Sequence, residues 1–322
     1  MRRVWLLNLD AERELSASHG YETPKRLREQ IARETPRLRA LLCPQEPVWP
    51  EGESDEVSND RDSFVLVPWC PTPNALRLAQ HAGLRAARAP SVDVLRLVNH
   101  RRFALEVAPH AELARASALL PELARASLAF DDARHFVEPA SPQAADLAWL
   151  ERPTLGSGFR LKRSYGFAGK GQRRIVAGLT EDDRRWIREA LAQGGFFVEP
   201  EVTLTRELSV HGYVDERSAL FGRPCELVCD RFGAPVSVAR AEPASLGPLA
   251  EALSLAASAL AEALRARGYF GAFGLDTRLF DSELGPGITL LGDVNARFTL
   301  GWSIGLGAER EAALARLTSA HS

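Results

Sequence analysis

A run of alternating polar and apolar residues near the C-terminal end constrains the fold of this chain more than any other feature. Asp293, Asn295 and Arg297 are separated by single residues and follow an apolar run. Alternate residues of a β-strand face the same side of a sheet, so we expect these three side chains to project together. Charges without partners among apolar neighbours are costly. The pattern therefore predicts a functional face on two successive strands, over 270–280 and 289–297.

Oxygen-bearing side chains on this face indicate a metal site. Asp276 ends the first strand's GAFGLD segment, and Asp293 and Asn295 lie on the second strand. Mg²⁺ prefers such hard oxygen ligands and keeps waters and substrate phosphates beside them. We interpret the three residues as Mg²⁺ ligands, with Arg297 as a group that can hold a phosphoryl or carboxylate oxygen. The alternative is the polar outer face of an ordinary sheet.

The densest glycine cluster follows a predicted strand that carries Lys162. Gly166, Gly169 and Gly171 allow a tight loop whose backbone amides can hold phosphate oxygens, because glycine has no Cβ. The order of a Walker A loop and that of a dinucleotide-binding fingerprint are both absent. Two of the chain's three lysines, Lys162 and Lys170, lie here, whereas arginine supplies nearly all other basic residues. The segment indicates a phosphate-binding loop, with a glycine-rich hairpin as the alternative.

An apolar strand that ends in a carboxylate forms the third pattern, in the segment FFVEP over 196–200. Backbone groups at Val198 and Glu199 can read the edge of a purine, and Glu207 further along can accept hydrogen bonds from ribose hydroxyls. The alternative is an edge strand with solvated glutamates.

Helix and strand signals elsewhere predict the surrounding architecture. Alternating strands and helices over the first ninety residues, with strands at 2–9 and 64–68, are typical of a small α/β lobe with a parallel sheet. We expect Pro36 to help end the first long helix near Glu34, and an acidic, proline-rich loop over 44–62. Thr180 starts a capped helix, and 248–267 reads as an amphipathic helix.

Taken in order, the segments LKRSYGFAGKG, FFVEP followed by REL, GAFGLD and GDVNARFTLG resemble the ATP-grasp superfamily over about residues 160–305. The resemblance implies an α/β plus α+β fold, in which a Rossmann-like lobe precedes two subdomains that clasp ATP. We expect the lobe at 1–95 and the ATP-grasp domain at 96–322. Within that domain, the small nucleotide-clasping subdomain is expected at about 135–200 and the metal-binding core at about 201–322.

The resemblance also implies ATP and Mg²⁺ as cofactors and assigns a role to each site residue. The implied nucleotide contacts are Arg101, Lys162, Gly166, Gly169, Gly171, Val198, Glu199 and Glu207. The implied metal ligands are Asp276, Asp293 and Asn295, and the implied catalytic residues are Lys162 and Arg297. Two positions depart from the family: Asp293 stands where glutamate is usual, and Arg101 or Arg102 stands where the family has an early lysine.

The reaction implied by the resemblance is the ligation of a carboxylate to an amine, or to a thiol, through an acyl phosphate with release of ADP and phosphate. A small-molecule or peptide carboxylate is the expected substrate. Two alternatives stay open, a kinase or phosphotransferase on the same fold and a non-catalytic nucleotide-binding regulatory protein.

Composition argues against some other classes. The formal net charge is −2, and no basic patch with interleaved aromatic residues indicates a nucleic-acid or membrane partner. No long uncharged apolar run indicates a signal peptide or a membrane span. The four cysteines lack metal-site spacing, which favours structural roles. We expect a cytoplasmic protein of bacterial biosynthesis, with a homodimer as one alternative for its oligomeric state.

Overall fold

The computed structural model describes residues 2–17, 20–49, 57, 60–153, 155–166, 171–176, 178–229 and 235–319. The strands of these residues form three sheets. The strands are β1 Arg2–Leu6, β2 Val48–Trp49, β3 Phe64–Pro68, β4 Arg85–Ala86, β5 His135–Val137, β6 Phe159–Arg163, β7 Gln172–Ile175, β8 Phe196–Pro200, β9 Thr203–Val214, β10 Ala219–Phe221, β11 Cys225–Cys229, β12 Pro235–Arg240, β13 Gly271–Ser282 and β14 Gly285–Asn295.

Helices connect and cover the sheets. Their bounds are α1 Ala11–Ser16, α2 Lys25–Leu42, α3 Pro73–His81, α4 Val92–Asn99, α5 Arg102–Val107, α6 Ala111–Ala118, α7 Ala124–Ala133, α8 Pro142–Ala145, α9 Glu181–Ala192, α10 Pro248–Ala266, α11 Trp302–Leu306 and α12 Arg310–Thr318. No helix among the described residues combines the length and the apolar character that crossing a bilayer requires.

The N-terminal lobe is built on a parallel sheet in the order β2-β1-β3-β4. Every residue of β3 is buried, as expected of a parallel strand with helices on both faces. The lobe confirms the predicted α/β class. The predicted loop over 44–62, however, contains strand β2, because Val48 and Trp49 are buried where they pair with the edge of β1.

Helix α2 continues past Pro36 to Leu42, so the prediction that this proline ends the helix is wrong. An interior proline removes one backbone hydrogen bond and costs a helix about 3 kcal/mol. Beyond it, Leu38 and Leu42 are buried in the main core, and burying a leucine contributes about 1.5–3 kcal/mol. The buried face of the last two turns therefore outweighs the defect.

The second sheet is antiparallel, in the order β5-β8-β6-β7, and α9 packs beside it. Helix α9 begins with the expected capping box, in which Thr180 and Asp183 each hold the other's backbone amide. A separate apolar cluster fills this subdomain. The unit is small but has its own core.

The third sheet runs β12-β11-β9-β13-β14, with β10 paired to β9. Helix α10 covers it with a broad apolar face that includes Leu253, Leu260 and Leu264. The predicted α/β plus α+β fold is thus confirmed. The final predicted strand begins and ends earlier than expected, since β14 stops at Asn295 and Arg297 lies beyond it.

Candidate active site

A cleft of about 610 Å³ lies between the second and third sheets. Its walls come from β6, β7 and β8 on one side and from β9, β11 and β13 on the other. The volume lies in the range of small-molecule sites, about 300–1,000 Å³. Lys162, Glu199, Glu207 and Arg278 line the cleft. With Arg101, Asp276 and Asp293, which contact this group, they form what we call the inner ionic cluster.

Lys162 is the most deeply buried charge of the cluster, with its side chain 1% exposed. Strand β6 presents its Nζ 2.7 Å from Glu199 Oε1 and 3.5 Å from Asp293 Oδ2. These are ion-pair distances, yet Nζ has no hydrogen bond of good geometry to any described residue. Burial, followed by the charge of Arg278, lowers the pKa of Lys162 to about 8. The ammonium is therefore paired with two carboxylates, and its third N–H can donate to a further acceptor.

Arg278 joins three carboxylates from different strands. Its guanidinium lies 3.2 Å from Glu199 Oε1, 3.5 Å from Glu207 Oε1 and 2.6 Å from Asp293 Oδ2. Burial would raise the pKa of Glu199, but Lys162 and Arg278 together hold that pKa below its ordinary value. Glu199 is thus an ionised hydrogen-bond acceptor at neutral pH.

Asp293 is surrounded by cations, since Arg101, Arg278 and Lys162 all contact its carboxylate. Burial opposes ionisation, yet these three charges lower the pKa of Asp293 far below its ordinary value. The structure also separates the two candidate arginines: Arg101 reaches Asp293, whereas Arg102 pairs with Glu138 at the surface. Of the two, Arg101 is the one that joins the inner ionic cluster.

The predicted metal ligands meet at an irregular pairing between β13 and β14. Asp276 pairs directly with Asp293, and Asn295 Nδ2 donates to Asp276 Oδ2 at 3.1 Å. Just beyond this pair, β14 has two more residues than β13 before the pairing resumes at Arg278 and Thr289. The strands approach closely here, since a Cβ added to Gly292 would lie 2.8 Å from the backbone oxygen of Asp276. Burial and the charge of Asp293 raise the pKa of Asp276 to about 6. The carboxylate of Asp293 is thus close enough to Asp276 to contribute to the raised pKa of Asp276.

Arg297 lies between the cleft and the N-terminal lobe. Its Nη2 donates to Asn295 Oδ1 at 2.9 Å, so the predicted neighbourhood of these two residues is present. Its Nε donates to Glu12 of α1, and its guanidinium lies 5.4 Å from the ring centre of Trp69. Because β14 ends before Arg297, the side chain turns toward the lobe and reaches the cluster only through Asn295.

Some predicted site residues lie elsewhere. The side chain of Val198 is fully buried in the core of the second sheet, and Val198 pairs with strands on both sides, so the structure does not bring it to the cleft wall. Gly171 has φ +80°, and its carbonyl accepts from Arg163 N at 2.8 Å. Gly166 and Gly171 are described, whereas Gly169 lies outside the described residues.

Three functional candidates were missed by the sequence patterns, namely Arg278, Glu12 and Trp69. Arg278 follows Asp276 by two residues on one strand, so the alternation that grouped Asp293 with Asn295 could have found it. Glu12 and Trp69 belong to the N-terminal lobe, where no pattern pairs them with the C-terminal strand. Only the tertiary fold brings them to Arg297.

Comparisons with known proteins were made by sequence and by structure. No family model and no curated protein matches the sequence. Among solved structures, biotin carboxylase from Campylobacter jejuni, as a βγ-ATP complex, matches with a TM-score of 0.54 and 13% identity, over 100% of this chain and 72% of that one. N5-carboxyaminoimidazole synthetase from Staphylococcus aureus, complexed with ADP, matches with a TM-score of 0.51 and 14% identity, over 100% and 78%.

A third match covers the whole of its counterpart. D-Cycloserine synthetase has a TM-score of 0.51 and 16% identity, over 98% of this chain and 100% of that one. At these identities the likeness concerns the fold. The three enzymes have different names and a similar architecture.

Proposed function

The chain has the ATP-grasp fold, and from this fold and the inner ionic cluster we propose that it is an ATP-dependent ligase. It activates a small-molecule or peptide carboxylate and couples it to an amine, or to a thiol. The observation that carries the proposal is the buried Lys162 beside Glu199 in a cleft between two subdomains. We further propose that the protein works in the cytoplasm of a bacterium.

The cleft fits a nucleotide. Lys162 has three N–H donors against two carboxylates at ion-pair distance, so it can take a further acceptor, and phosphate oxygens are strong acceptors. Ionised Glu199 and half-buried Glu207 line the same cleft and can accept hydrogen bonds from amino and hydroxyl groups. In this proposal the nucleotide phosphates lie near Lys162 and Arg101, with Gly166 and Gly171 as further contacts.

The facing carboxylates fit a divalent cation. Asp276 and Asp293 are partly exposed, and burial together with the charge of Asp293 raises the pKa of Asp276. Among the described residues no group of three or more His, Cys, Asp and Glu side chains is arranged to bind a metal. Two carboxylates are nevertheless the usual protein share of a Mg²⁺ site that is completed by phosphates and water. When bound, Mg²⁺ would offset phosphate charge, with Asn295 as a third ligand.

The reaction has two steps. A carboxylate oxygen of the substrate attacks the γ-phosphorus of ATP, an O–P bond forms, and the bond to the β–γ bridging oxygen breaks as ADP leaves. The amine then attacks the acyl carbon, loses a proton, and expels phosphate. Lys162 and Arg101 hold phosphate oxygens, and Arg297 orients the carboxylate. Positioning and charge offset, rather than a covalent enzyme intermediate, account for the acceleration.

Neighbouring arginines offer a matched test of the site. We expect Arg101→Ala to weaken Mg²⁺-dependent binding of a non-hydrolysable ATP analogue by about tenfold or more, because a charged hydrogen-bond donor is lost. Arg102→Ala, whose side chain is at the surface, should change the affinity less than twofold. Isothermal titration calorimetry measures both. Failure of the wild-type protein to bind the analogue would contradict the proposal.

Turnover separates the alternatives. With an accepted carboxylate and amine, the ligase releases ADP and free phosphate in equal amounts. A stable phosphorylated product in place of free phosphate would identify a kinase. Nucleotide binding without turnover across a broad panel of carboxylates would instead favour a regulatory protein.

A further inference from the structure

One arginine of the inner ionic cluster spans the cleft. The side chain of Arg278 comes from β13 and is 12% exposed. Its Nη1 donates to Glu199 Oε1 at 3.2 Å, its Nη2 donates to Asp293 Oδ2 at 2.6 Å, and its Nε lies 3.5 Å from Glu207 Oε1. Every nitrogen of the guanidinium thus faces a carboxylate, so three acids share its positive charge.

The other two bases of the cluster are placed differently. Lys162 has three N–H donors against two carboxylates, so one donor can take a further acceptor. Arg101 is tied to the backbone of the second sheet, since its Nε donates to the Arg163 carbonyl at 3.1 Å. Of the three bases in the described cluster, Arg278 is the one that contacts all three of those acids.

The contact with Asp293 bears on the proposed metal site. Both oxygens of this carboxylate accept from guanidinium groups, Oδ1 from Arg101 and Oδ2 from Arg278. A divalent cation on the same carboxylate would lie close to the charge of Arg278. Like charges repel, and the repulsion is larger in a partly buried site than in water. Binding of the free cation is therefore opposed by Arg278.

Added negative charge removes this opposition. The phosphates of a nucleotide bring several negative charges, and a guanidinium binds phosphate oxygens in the same forked geometry as carboxylate oxygens. Arg278 can then exchange Asp293 for a phosphate oxygen while Asp293 binds the cation. Without the charge of Arg278, the cluster would have two bases against four acids and would attract a free cation instead.

We propose that Arg278 is an internal counter-ion that makes the cleft select the cation–nucleotide complex over the free divalent cation. In the nucleotide-free protein, the charge of Arg278 stands in for that of the metal at Asp293, and the nucleotide phosphates release Asp293 for the metal. Arg278 is thus a specificity-determining residue. The assignment rests on the proposed function and concerns the form in which that site takes its cation.

Direct metal binding tests the proposal first. Mn²⁺, a paramagnetic substitute for Mg²⁺, is titrated into the nucleotide-free protein, and the free ion is measured by electron paramagnetic resonance. We expect Arg278→Gln to bind Mn²⁺ about tenfold or more tightly than the wild type. Removing a unit charge beside a divalent ion has an effect of about this size even at the dielectric constant of water. Equal affinities would overturn the proposal.

Arg206 provides a matched control on the wall of the same cleft. Its Nε lies 3.0 Å from Glu226 Oε1, and neither residue belongs to the inner ionic cluster. Arg206→Gln removes the same charge and should change the Mn²⁺ affinity by no more than about twofold, because exposed ion pairs have weak effects. A comparable gain in both variants would mean that the net charge of the cleft, rather than Arg278, sets the metal affinity, and would overturn the proposal.

The nucleotide supplies a second prediction. In the wild type, the non-hydrolysable ATP analogue should raise the Mn²⁺ affinity by about a hundredfold or more. In Arg278→Gln this factor should be about tenfold smaller, because the free cation already binds more tightly and the two affinities belong to one thermodynamic cycle. An unchanged factor would contradict the assigned role of Arg278.

Two further variants separate charge from folding. If Arg278→Gln gives no cooperative thermal transition, Arg278→Met, which keeps the apolar stem, takes its place with the same expected gain. Arg278→Lys keeps the positive charge and should not gain Mn²⁺ affinity. A gain in Arg278→Lys as large as that in the neutral variant would overturn the proposal.

The outcomes distinguish this proposal from the proposed function. If the wild type does not bind the ATP analogue at any Mn²⁺ concentration, the proposed function is wrong, and the proposal that rests on it is wrong as well. If the wild type binds the analogue but Arg278→Gln has the Mn²⁺ affinity of the wild type, only the role of Arg278 is rejected.

Discussion

Among single residues, His211 makes the free energy of unfolding depend on pH. It is fully buried, with its ring nitrogens at 2.9 Å from Ser209 Oγ and 2.8 Å from Thr299 Oγ1. Burial lowers the pKa of His211 to about 3. Because the folded-state pKa is lower than the unfolded-state pKa, the unfolded state binds the extra proton as the pH falls. Stability should therefore decline from about pH 6.5 toward pH 3.

The measurement is urea unfolding at pH 7.5 and pH 4.5. Between these two pH values, the free energy of unfolding of His211→Gln should fall by about 2–3 kcal/mol less than that of the wild type. The reason is that one pKa unit corresponds to about 1.4 kcal/mol. His81→Gln, at an exposed position of α3, serves as the control and should lose as much as the wild type. Equal losses in the wild type and His211→Gln would mean that the buried ring already binds a proton in the folded protein.

The sequence was informative about residues whose chemistry is unusual in its local setting. The rarity of lysine singled out Lys162, and alternation grouped Asp293 with Asn295, and the structure brings these side chains into one polar network. Val198 does not line the cleft, because a central strand uses its backbone groups within the sheet. Glu12 could not be inferred, because its significance depends on a contact with Arg297 across the whole chain.

Among secondary-structure elements, two prolines in helices should behave oppositely when replaced. Pro36 lies inside α2 on its solvent side, where it removes a hydrogen bond. Pro36→Ala should therefore stabilise the protein by about 1–3 kcal/mol, somewhat reduced by the greater freedom of the unfolded chain. Pro73 occupies the first turn of α3, where its missing N–H has no helical partner. Pro73→Ala should be neutral or destabilising by up to about 1 kcal/mol.

Denaturant unfolding monitored by circular dichroism measures both changes. Neither substitution is near the cleft, so ATP-analogue binding should stay the same and serve as a check on folding. A loss of stability in Pro36→Ala would mean that the proline sets a bend on which the packing of Leu38 and Leu42 depends.

Element type was more predictable than element length. The periodic apolar face of α10 and the capping box of α9 are local signals, and both helices begin where those signals lie. Strand β2 and the last two turns of α2 exist because of distant partners, namely β1 and the main core. Local rules cannot include the free energy of such packing, so they end the helix too early and leave the short strand as loop.

In the whole molecule, the N-terminal lobe and the second and third sheets all contribute to one polar network. The second sheet provides Lys162 and Glu199, the third provides Arg278 and Asp293, and the N-terminal lobe provides Glu12 through Arg297. A site assembled in this way depends on the relative position of three units. Ordered sequence motifs indicated which units exist, but the Glu12 link between the lobe and the third sheet required the structure.

The charge balance of the inner ionic cluster predicts how nucleotide and metal bind together. It contains the bases Arg101, Lys162 and Arg278 against the acids Glu199, Glu207, Asp276 and Asp293. A free triphosphate would add further negative charge to this group. We expect removal of Mg²⁺ with EDTA to weaken ATP-analogue binding at least a hundredfold, as measured by calorimetry. Asp276→Asn should reduce that dependence.

If the proposed site binds both ligands, the excess acid in the cluster would make the cation and the nucleotide a linked pair. By thermodynamic reciprocity, the nucleotide would raise the affinity for the metal by the same factor that the metal raises the affinity for the nucleotide. Free Mg²⁺ would then be a positive heterotropic effector, and the occupancy of the cleft would follow the cation concentration even at constant nucleotide concentration.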